Sequence, residues 1–368
     1  MASRFLTRAW IVSQALPRSL LRRRPSGAPR RVLIAHHPKM MGDTLLMTTI
    51  AAKARHAWPQ AEIVMTASPA VAPLFAARPW NVDAIAFDPA DPATLAAYRR
   101  RGGYDLAIVP GDNRYGWFAR ALGARWIVGF SGDRPRYKDL LLDERHAYPD
   151  RPGVWHDMAA DLIEGGDPPP YEPRQWPAPP FRDFDLPTGR YAVIHLGASS
   201  VLKQWLPDRW AAIARHLESR GVEVVWTGGR GEEALVDAVD PKHERRSYAG
   251  RLDLPQMWHL LARSELLVTP DTGISHLARI TGTPTITLFG PGTPQLMGSG
   301  RFFRNAPWRA VVVDPFPCRD QPILYKRRVE WVRRCSRTTR ECASPASMHA
   351  IEVADVLAAI AGLVPALR

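Results

Sequence analysis

Between residues 266 and 292 the chain passes from an apolar stretch, through Pro270-Asp271-Thr272-Gly273, into a helical stretch. It leaves through a second apolar stretch that stops at Gly290-Pro291-Gly292. A pattern of this kind has few solutions other than strand, helix, strand, and such units assemble into parallel sheets. The turn also places Asp271, Thr272 and Gly273 where a helix starts, with His276 in its first turns. Helix N-termini expose unpaired N–H groups and a partial positive charge, so the turn is a natural seat for a phosphate.

The same alternation fills the rest of the chain. Strands are expected at residues 31–35, 62–66, 84–87, 106–109 and 127–130, with helices at 44–57, 92–101 and 115–122. The Pro-rich stretch 165–188 then has linker composition. After it the pattern resumes, with strands at 191–195, 222–226, 266–268 and 285–289 and helices at 208–220, 254–263, 274–280 and 348–363. A length of 368 residues suits two domains of about 150 residues each. The expected division is a basic arm at 1–30, a domain at 31–170, a linker at 171–188, a second domain at 189–345 and a closing helix at 346–368. Both domains read as doubly wound α/β, whose ligands bind at the carboxyl ends of the strands.

Charge is distributed unevenly. The net charge is +13, yet residues 1–31 hold eight Arg and no acid, and residues 301–341 hold eleven Lys and Arg against four acids. The remainder is close to neutral, so basicity belongs to two segments and points to anionic partners, an anionic membrane surface among them. No nucleic-acid-binding motif accompanies the charge, and none is expected as a partner. The N-terminal segment mixes Phe5, Leu6, Trp10, Ile11, Val12, Leu16, Leu20 and Leu21 with arginines. It reads as a basic amphipathic arm lying on a surface or as a disordered leader, and it lacks the cleavage site of a signal peptide. The three cysteines, Cys318, Cys335 and Cys342, are odd in number and are expected as free thiols in a reducing, cytoplasmic setting.

Four strand ends carry chemistry. After the first strand come His36-His37-Pro38-Lys39-Met40-Met41-Gly42-Asp43; Gly42 permits a tight turn, and Asp43 at the helix start is either an N-cap or a functional carboxylate. The two histidines have no neighbouring Cys or acidic cluster to complete a metal site. His195-Leu196-Gly197-Ala198-Ser199-Ser200, with Lys203 beyond, offers hydroxyls and a cation to a diphosphate, or a solvated lysine. Thr227-Gly228-Gly229-Arg230-Gly231-Glu232-Glu233 offers close backbone approach followed by acids that could accept ribose hydroxyls, or a plain βα connection. The fourth is the turn at Asp271.

At these residues the chain resembles the ADP-heptose:lipopolysaccharide heptosyltransferases, glycosyltransferase family 9. The shared words are Met41-Gly42-Asp43, His195-Leu196-Gly197-Ala198 with Lys203-Gln204-Trp205, Thr227-Gly228-Gly229, Ala249-Gly250 with Leu252 and Leu254, Asp271-Thr272-Gly273-x-x-His276-Leu277, and Phe289-Gly290-Pro291. They run in the family's order over residues 31–300. The residues before Gly42 depart from the family's usual wording, in a loop that faces the acceptor.

The resemblance implies a GT-B architecture, two Rossmann-like domains facing a central cleft, with the acceptor on the N-terminal half and the nucleotide sugar on the other. It implies an inverting transfer of heptose from ADP-heptose to lipid A–Kdo or core heptose of lipopolysaccharide, with no metal and no cofactor beyond the donor substrate. Asp43 would be the general base. Ser199 or Ser200, Lys203, Asp271, Thr272, Gly273 and His276 would hold the departing diphosphate, Glu232 or Glu233 the ribose, with Gly228 beside them and Leu252 near the adenine. Lys39, Met41 and Gly42 would meet the acceptor. The enzyme is expected on the cytoplasmic side, peripheral to the inner membrane of a Gram-negative bacterium. Transfer of another nucleotide sugar into an envelope glycan, or a GT-B-like nucleotide-sugar epimerase, are the alternatives.

Overall fold

The structure, a computed structural model, describes residues 2–367. The chain forms two compact units. The first comprises Met1–Pro169, Gln175–Pro177 and Ile323–Trp331; the second comprises Pro170–Arg174, Ala178–Pro322 and Val332–Arg368.

The first unit is built on six parallel strands: β1 Arg31–Ile34, β2 Glu62–Ala67, β3 Val82–Ala86, β4 Leu106–Val109, β5 Trp126–Phe130 and β6 Glu144–His146. Their order across the sheet is β3-β2-β1-β4-β5-β6. The order reverses direction between β1 and β4, which is where sheets of this type open a crevice for ligands. β1, β2 and β4 are almost wholly buried, and Leu33, Val64, Ala107 and Val109 pack with Phe118 and Tyr98 into one core.

The second unit carries β7 Tyr191–His195, β8 Glu223–Thr227, β9 Leu266–Pro270, β10 Thr285–Phe289 and β11 Trp308–Val312, all parallel, in the order β11-β10-β9-β7-β8. Here the reversal falls between β7 and β9. A core of Ile194, Val224, Trp226, Val268, Ile286 and Leu288 lies against the helices Pro207–Ser219 and Val353–Leu363.

Several elements differ from their sequence reading. The helix expected at 44–57 is two, Met41–Leu46 and Thr48–Ala57, meeting at Met47. The closing helix expected at 348–363 is also two, Ala346–His349 and Val353–Leu363. Glu352 starts the second with a reciprocal capping box to Asp355, which ends the first by supplying a better partner for its backbone. The N-terminal arm is a helix over Ala2–Arg18, with Trp10 and Ile11 packed beside Ala15, Ala121 and Leu141. The Pro-rich stretch has no regular structure beyond the short turn Pro173–Gln175, but it is anchored. Trp176 is buried, donates to the Leu74 carbonyl and packs its ring at a tilt against Phe75; Tyr171 is buried in the second unit and donates to the Ile280 carbonyl.

The basic segment 301–341 contains a hairpin, β12 Ile323–Leu324 and β13 Arg327–Arg328, that packs within the first unit. Its loop is Tyr325-Lys326, with φ of +45° and +64°. Positive φ at both loop residues is the pattern of a type I′ two-residue hairpin turn, and it strains a residue as bulky as Tyr.

Candidate functional site

In the first unit the loop after β1 is tied to β2: Thr66 Oγ1 accepts from the His36 N–H and donates to the His36 carbonyl, both at 2.9 Å. His36 is fully buried, and burial pushes its pKa down to about 4, so it is neutral near pH 7. Lys39 is exposed, and Met41, Gly42 and Asp43 are half-buried. The helix that follows starts after Met40, whose extended backbone makes it the cap residue. Asp43 therefore lies inside the first turn and is not the N-cap, and Gly42 is helical and forms no part of a turn before the helix. The carboxylate accepts a hydrogen bond from the Tyr325 hydroxyl at 2.8 Å.

Tyr325 sits at the point where the sheet order reverses. Its ring lies against Trp155, with centroids 4.8 Å apart, and over Gly111 at the end of β4. A Cβ on Gly111 would come within 3.3 Å of the ring, so the absence of a side chain there makes room for it. Arg327 fastens the hairpin: its guanidinium donates to the Ser131, Phe130 and Tyr325 carbonyls at 2.8–2.9 Å and is almost fully buried. Trp331 adds a bond to the Pro149 carbonyl at 2.8 Å. Tyr325, Arg327, Trp155 and Gly111 carry no signal in the sequence analysis beyond the location of two of them in the basic segment 301–341, whose charge points to anionic partners.

In the second unit the strand ends of β7 and β9 meet. Lys203 Nζ donates to the Asp271 carbonyl at 2.6 Å and to its Oδ2 at 2.9 Å. The short turn Val201–Lys203 is capped by Ser200, whose Oγ accepts from the Leu202 N–H, while Ser199 is exposed. Thr272 is the N-cap position of the helix Gly273–Thr281 and has no side-chain capping bond, so that helix end keeps its N–H groups for other acceptors. His276 is buried within this helix. Gly292 lies so close to Asp271 that a Cβ would come within 2.5 Å of Oδ2. This brings one ammonium, one carboxylate and one helix N-terminus to the switch point of the sheet.

The β8 end is joined to β7 by Glu232. One carboxylate oxygen accepts from the Ala198 N–H at 3.0 Å, the other from the Gly229 N–H at 2.6 Å. A Cβ on Gly197 would collide with this carboxylate. Glu233 accepts from its own N–H and that of Gly231, which hold its carboxyl below the usual range. Gly228 receives the Gly250 N–H at 3.0 Å, and Leu252 is half-buried nearby in sequence. His195 is fully buried, contacts Thr227 Oγ1 at 3.0 Å, and is pushed down to about 4 by burial. Two buried arginines outside the sequence reading support the segments that follow β10 and β11. Arg319 donates to the Phe289, Gly290 and Val313 carbonyls, and Arg279 donates to the Met297 and Gly298 carbonyls. Burial lowers the Arg279 pKa to about 9, and the rings of Trp308 and Phe303 face its guanidinium at 5.0 and 5.6 Å.

Among the described residues no group of three or more His, Cys, Asp or Glu is placed to hold a metal ion, and the three cysteines are free.

Residues 95–312, more than half of the chain, match the sequence model of glycosyltransferase family 9 (heptosyltransferase). Lipopolysaccharide heptosyltransferase 1 of Pseudomonas aeruginosa is 28% identical over 209 residues, covering 53% of this chain and 57% of that protein. The chain thus spans little more than half the length of that relative. Among solved structures, Escherichia coli ADP-heptose lipopolysaccharide heptosyltransferase II superposes with a TM-score of 0.65 at 20% identity, over 90% of this chain and 98% of that one. E. coli heptosyltransferase WaaC with ADP gives 0.60 at 19% identity, over 76% and 92%. At these identities the likeness establishes the fold, which is the α/β GT-B class.

Proposed function

The chain belongs to glycosyltransferase family 9, and we propose that it transfers heptose from ADP-heptose to the inner core of lipopolysaccharide, with lipid A–Kdo or a core heptose as acceptor. The observation that carries the reading is the Asp43 carboxylate at the switch point of the first sheet, held by the Tyr325 hydroxyl. In this reading Asp43 takes the proton from the acceptor hydroxyl as that oxygen attacks the anomeric carbon, and the sugar inverts as ADP leaves. A carboxylate offers about four acceptor positions, so the bond from Tyr325 and one from the acceptor can coexist. Lys39, Met41 and Gly42 line the acceptor's approach.

The second unit takes the nucleotide sugar. Lys203 and the N–H groups at Thr272 and Gly273 meet the diphosphate, supported by Ser199, Ser200 and the position of His276. These fixed positive groups offer the leaving ADP the stabilisation that a divalent ion would otherwise give, which makes the transfer metal-independent in our reading. Asp271 holds Lys203 in place. Glu232 and Glu233 lie where ribose hydroxyls would enter, beside Gly228, and Leu252 lies toward the adenine.

We place the enzyme on the cytoplasmic face of the inner membrane of a Gram-negative bacterium, as a peripheral protein. No helix among the described residues is long and apolar enough to cross a membrane. The support is the N-terminal helix, where Phe5 and Leu16 are exposed, together with the exposed arginines 22–24 that follow it.

A thermal-shift screen of ADP-heptose, ADP, UDP-sugars and GDP-sugars tests the donor. A ligand bound only by the folded state stabilises it by RT ln(1 + [L]/Kd), so ADP and ADP-heptose should raise the melting temperature and the others should not. Stabilisation by a uridine or guanosine nucleotide instead would overturn the donor assignment.

A further inference from the structure

The N-terminal helix does more than cover a surface. Thr7 and Ala15 are buried, Trp10 lies under the Arg99 guanidinium at 5.4 Å, and Ile11 joins the apolar cluster around Phe118, so the helix is held in a defined position. Between it and the loop after β1 lies a cavity of about 650 Å³. Its size falls in the range that takes a small organic ligand, roughly 300–1,000 Å³.

The walls of this cavity are of two kinds. Ile11, Val12, Phe87, Trp117 and Phe118 make an apolar surface, while Arg4, Arg8, Lys39 and Arg114 bring four permanent cations. Among the described residues no carboxylate lines it. Arg114 is held by Asp112 at 2.6 Å, and Lys39 has only a loose contact with Asp88 at 3.9 Å. Arg4 and Arg8 form no ion pair among the described residues, on a helix with no acid in its first turn. His37, also in the wall, has its pKa lowered by burial and by Arg114, so it adds a neutral polar group. An apolar cavity beside the unpaired Arg4 and Arg8 offers a neutral lipid tail alone, or a bare phosphate alone, only part of its contacts. It suits a molecule with both parts.

We propose that this cavity binds an anionic amphiphile, an acyl chain against Ile11, Val12 and Phe118 with a phosphate or carboxylate on Arg4 and Arg8. It thereby selects the lipid-linked form of the acceptor. The proposal rests on the glycolipid-acceptor reading above and assigns to residues 4–12 a part in acceptor choice. Phe5 and Leu16 on the outer face of the same helix, both more than half exposed, suit an acceptor presented from a lipid surface.

Direct binding tests it on the full chain by calorimetry with decyl phosphate, decyl maltoside and inorganic phosphate. Decyl phosphate should bind at least tenfold more tightly than either of the others. Arg4→Glu with Arg8→Glu should weaken decyl phosphate at least tenfold. Both side chains are exposed, so folding is checked by an unchanged melting temperature and unchanged stabilisation by ADP. Equal binding of inorganic phosphate or of the maltoside, or an unaffected double variant, would overturn the proposal. Transfer assays separate it from the parent reading. With acylated and deacylated Kdo-bearing acceptors, the double variant should raise KM for the acylated one only and leave the donor KM alone. Transfer to both acceptors with identical KM in the unaltered chain sinks the cavity proposal while leaving the transferase reading intact. Absence of transfer to any acceptor, with decyl phosphate still bound through Arg4 and Arg8, does the reverse.

Discussion

The hydroxyl of Tyr325 donates to Oδ2 of Asp43 at 2.8 Å across 282 residues of sequence, and both lie in the same compact unit. The late basic segment therefore returns to complete the surroundings of a carboxylate presented by the first strand–helix turn. A hydrogen bond to an ionised group contributes about 1.5–3 kcal/mol. If Asp43 is the base, that contribution orients its carboxylate toward the acceptor.

Tyr325→Phe should thus lower kcat by roughly 10- to 100-fold, the range that 1.5–3 kcal/mol permits, with the melting temperature and ADP affinity unchanged. Asp43→Ala should abolish most transfer while ADP-heptose still binds. Steady-state kinetics alongside calorimetry of ADP binding checks both. A Tyr325→Phe enzyme with unaltered kcat would remove Tyr325 from the mechanism.

Arg327→Ala should act through the hairpin. The Ser131 carbonyl loses a charged donor in a buried place, at about 1–3 kcal/mol for a group left unsatisfied, while the Phe130 carbonyl keeps the bond from the Asn113 amide. Urea unfolding should show a loss of about 1–3 kcal/mol, and transfer should fall at least as far as in Tyr325→Phe. Unchanged stability would mean that the hairpin is held by other contacts.

Lys203→Ala removes the ammonium that bridges the β7 end to Asp271 and leaves the Asp271 carboxylate unpaired, which on the proposed reading repels the diphosphate. Affinity for ADP should drop by about 10- to 100-fold, and Lys203→Arg should restore only part of it, since its fork cannot reproduce a point donor. Isothermal titration of ADP decides the matter; equal affinity would count against a diphosphate role.

His36 and His195 are buried, each with its pKa depressed to about 4. The unfolded chain protonates them near 6.5, so between pH 6.5 and 4 it binds more protons than the folded chain. Their stabilising effect is present above pH 6.5 and is lost as pH falls through that window, by up to ~1.4 kcal/mol per pH unit for each histidine. Unfolding titrations from pH 7.5 to 4.5 should show this slope, and His195→Asn should reduce it. A slope unchanged by that substitution would assign the acid sensitivity elsewhere.

Much of the framework was legible because the signals were local. The apolar runs at 191–195 and 285–289 match β7 and β10 residue for residue. The turn from Pro270 to Gly273 opens a helix as its composition demanded. β6 was not legible: Glu144–His146 is three polar residues at a sheet edge, with no alternation to read. β11 was hidden in a segment set apart for its charge. The N-terminal arm left two readings open, since its apolar residues point both ways: Ile11 and Ala15 face inward, while Phe5 and Leu16 face solvent.

The sequence alone determined that there would be two parallel α/β units, and that Asp43, Lys203 and Asp271 would stand at strand ends. Period and turn chemistry act over a few residues and survive without knowledge of the rest. Only the tertiary structure decided what each of those side chains touches. It placed Asp43 within a helical turn and under a tyrosine from a two-residue hairpin, and it gave Lys203 a carboxylate partner. Such contacts join residues tens to hundreds of positions apart, through elements too short to have a period. Their geometry follows from how the strands are ordered in the sheet, which no local pattern records.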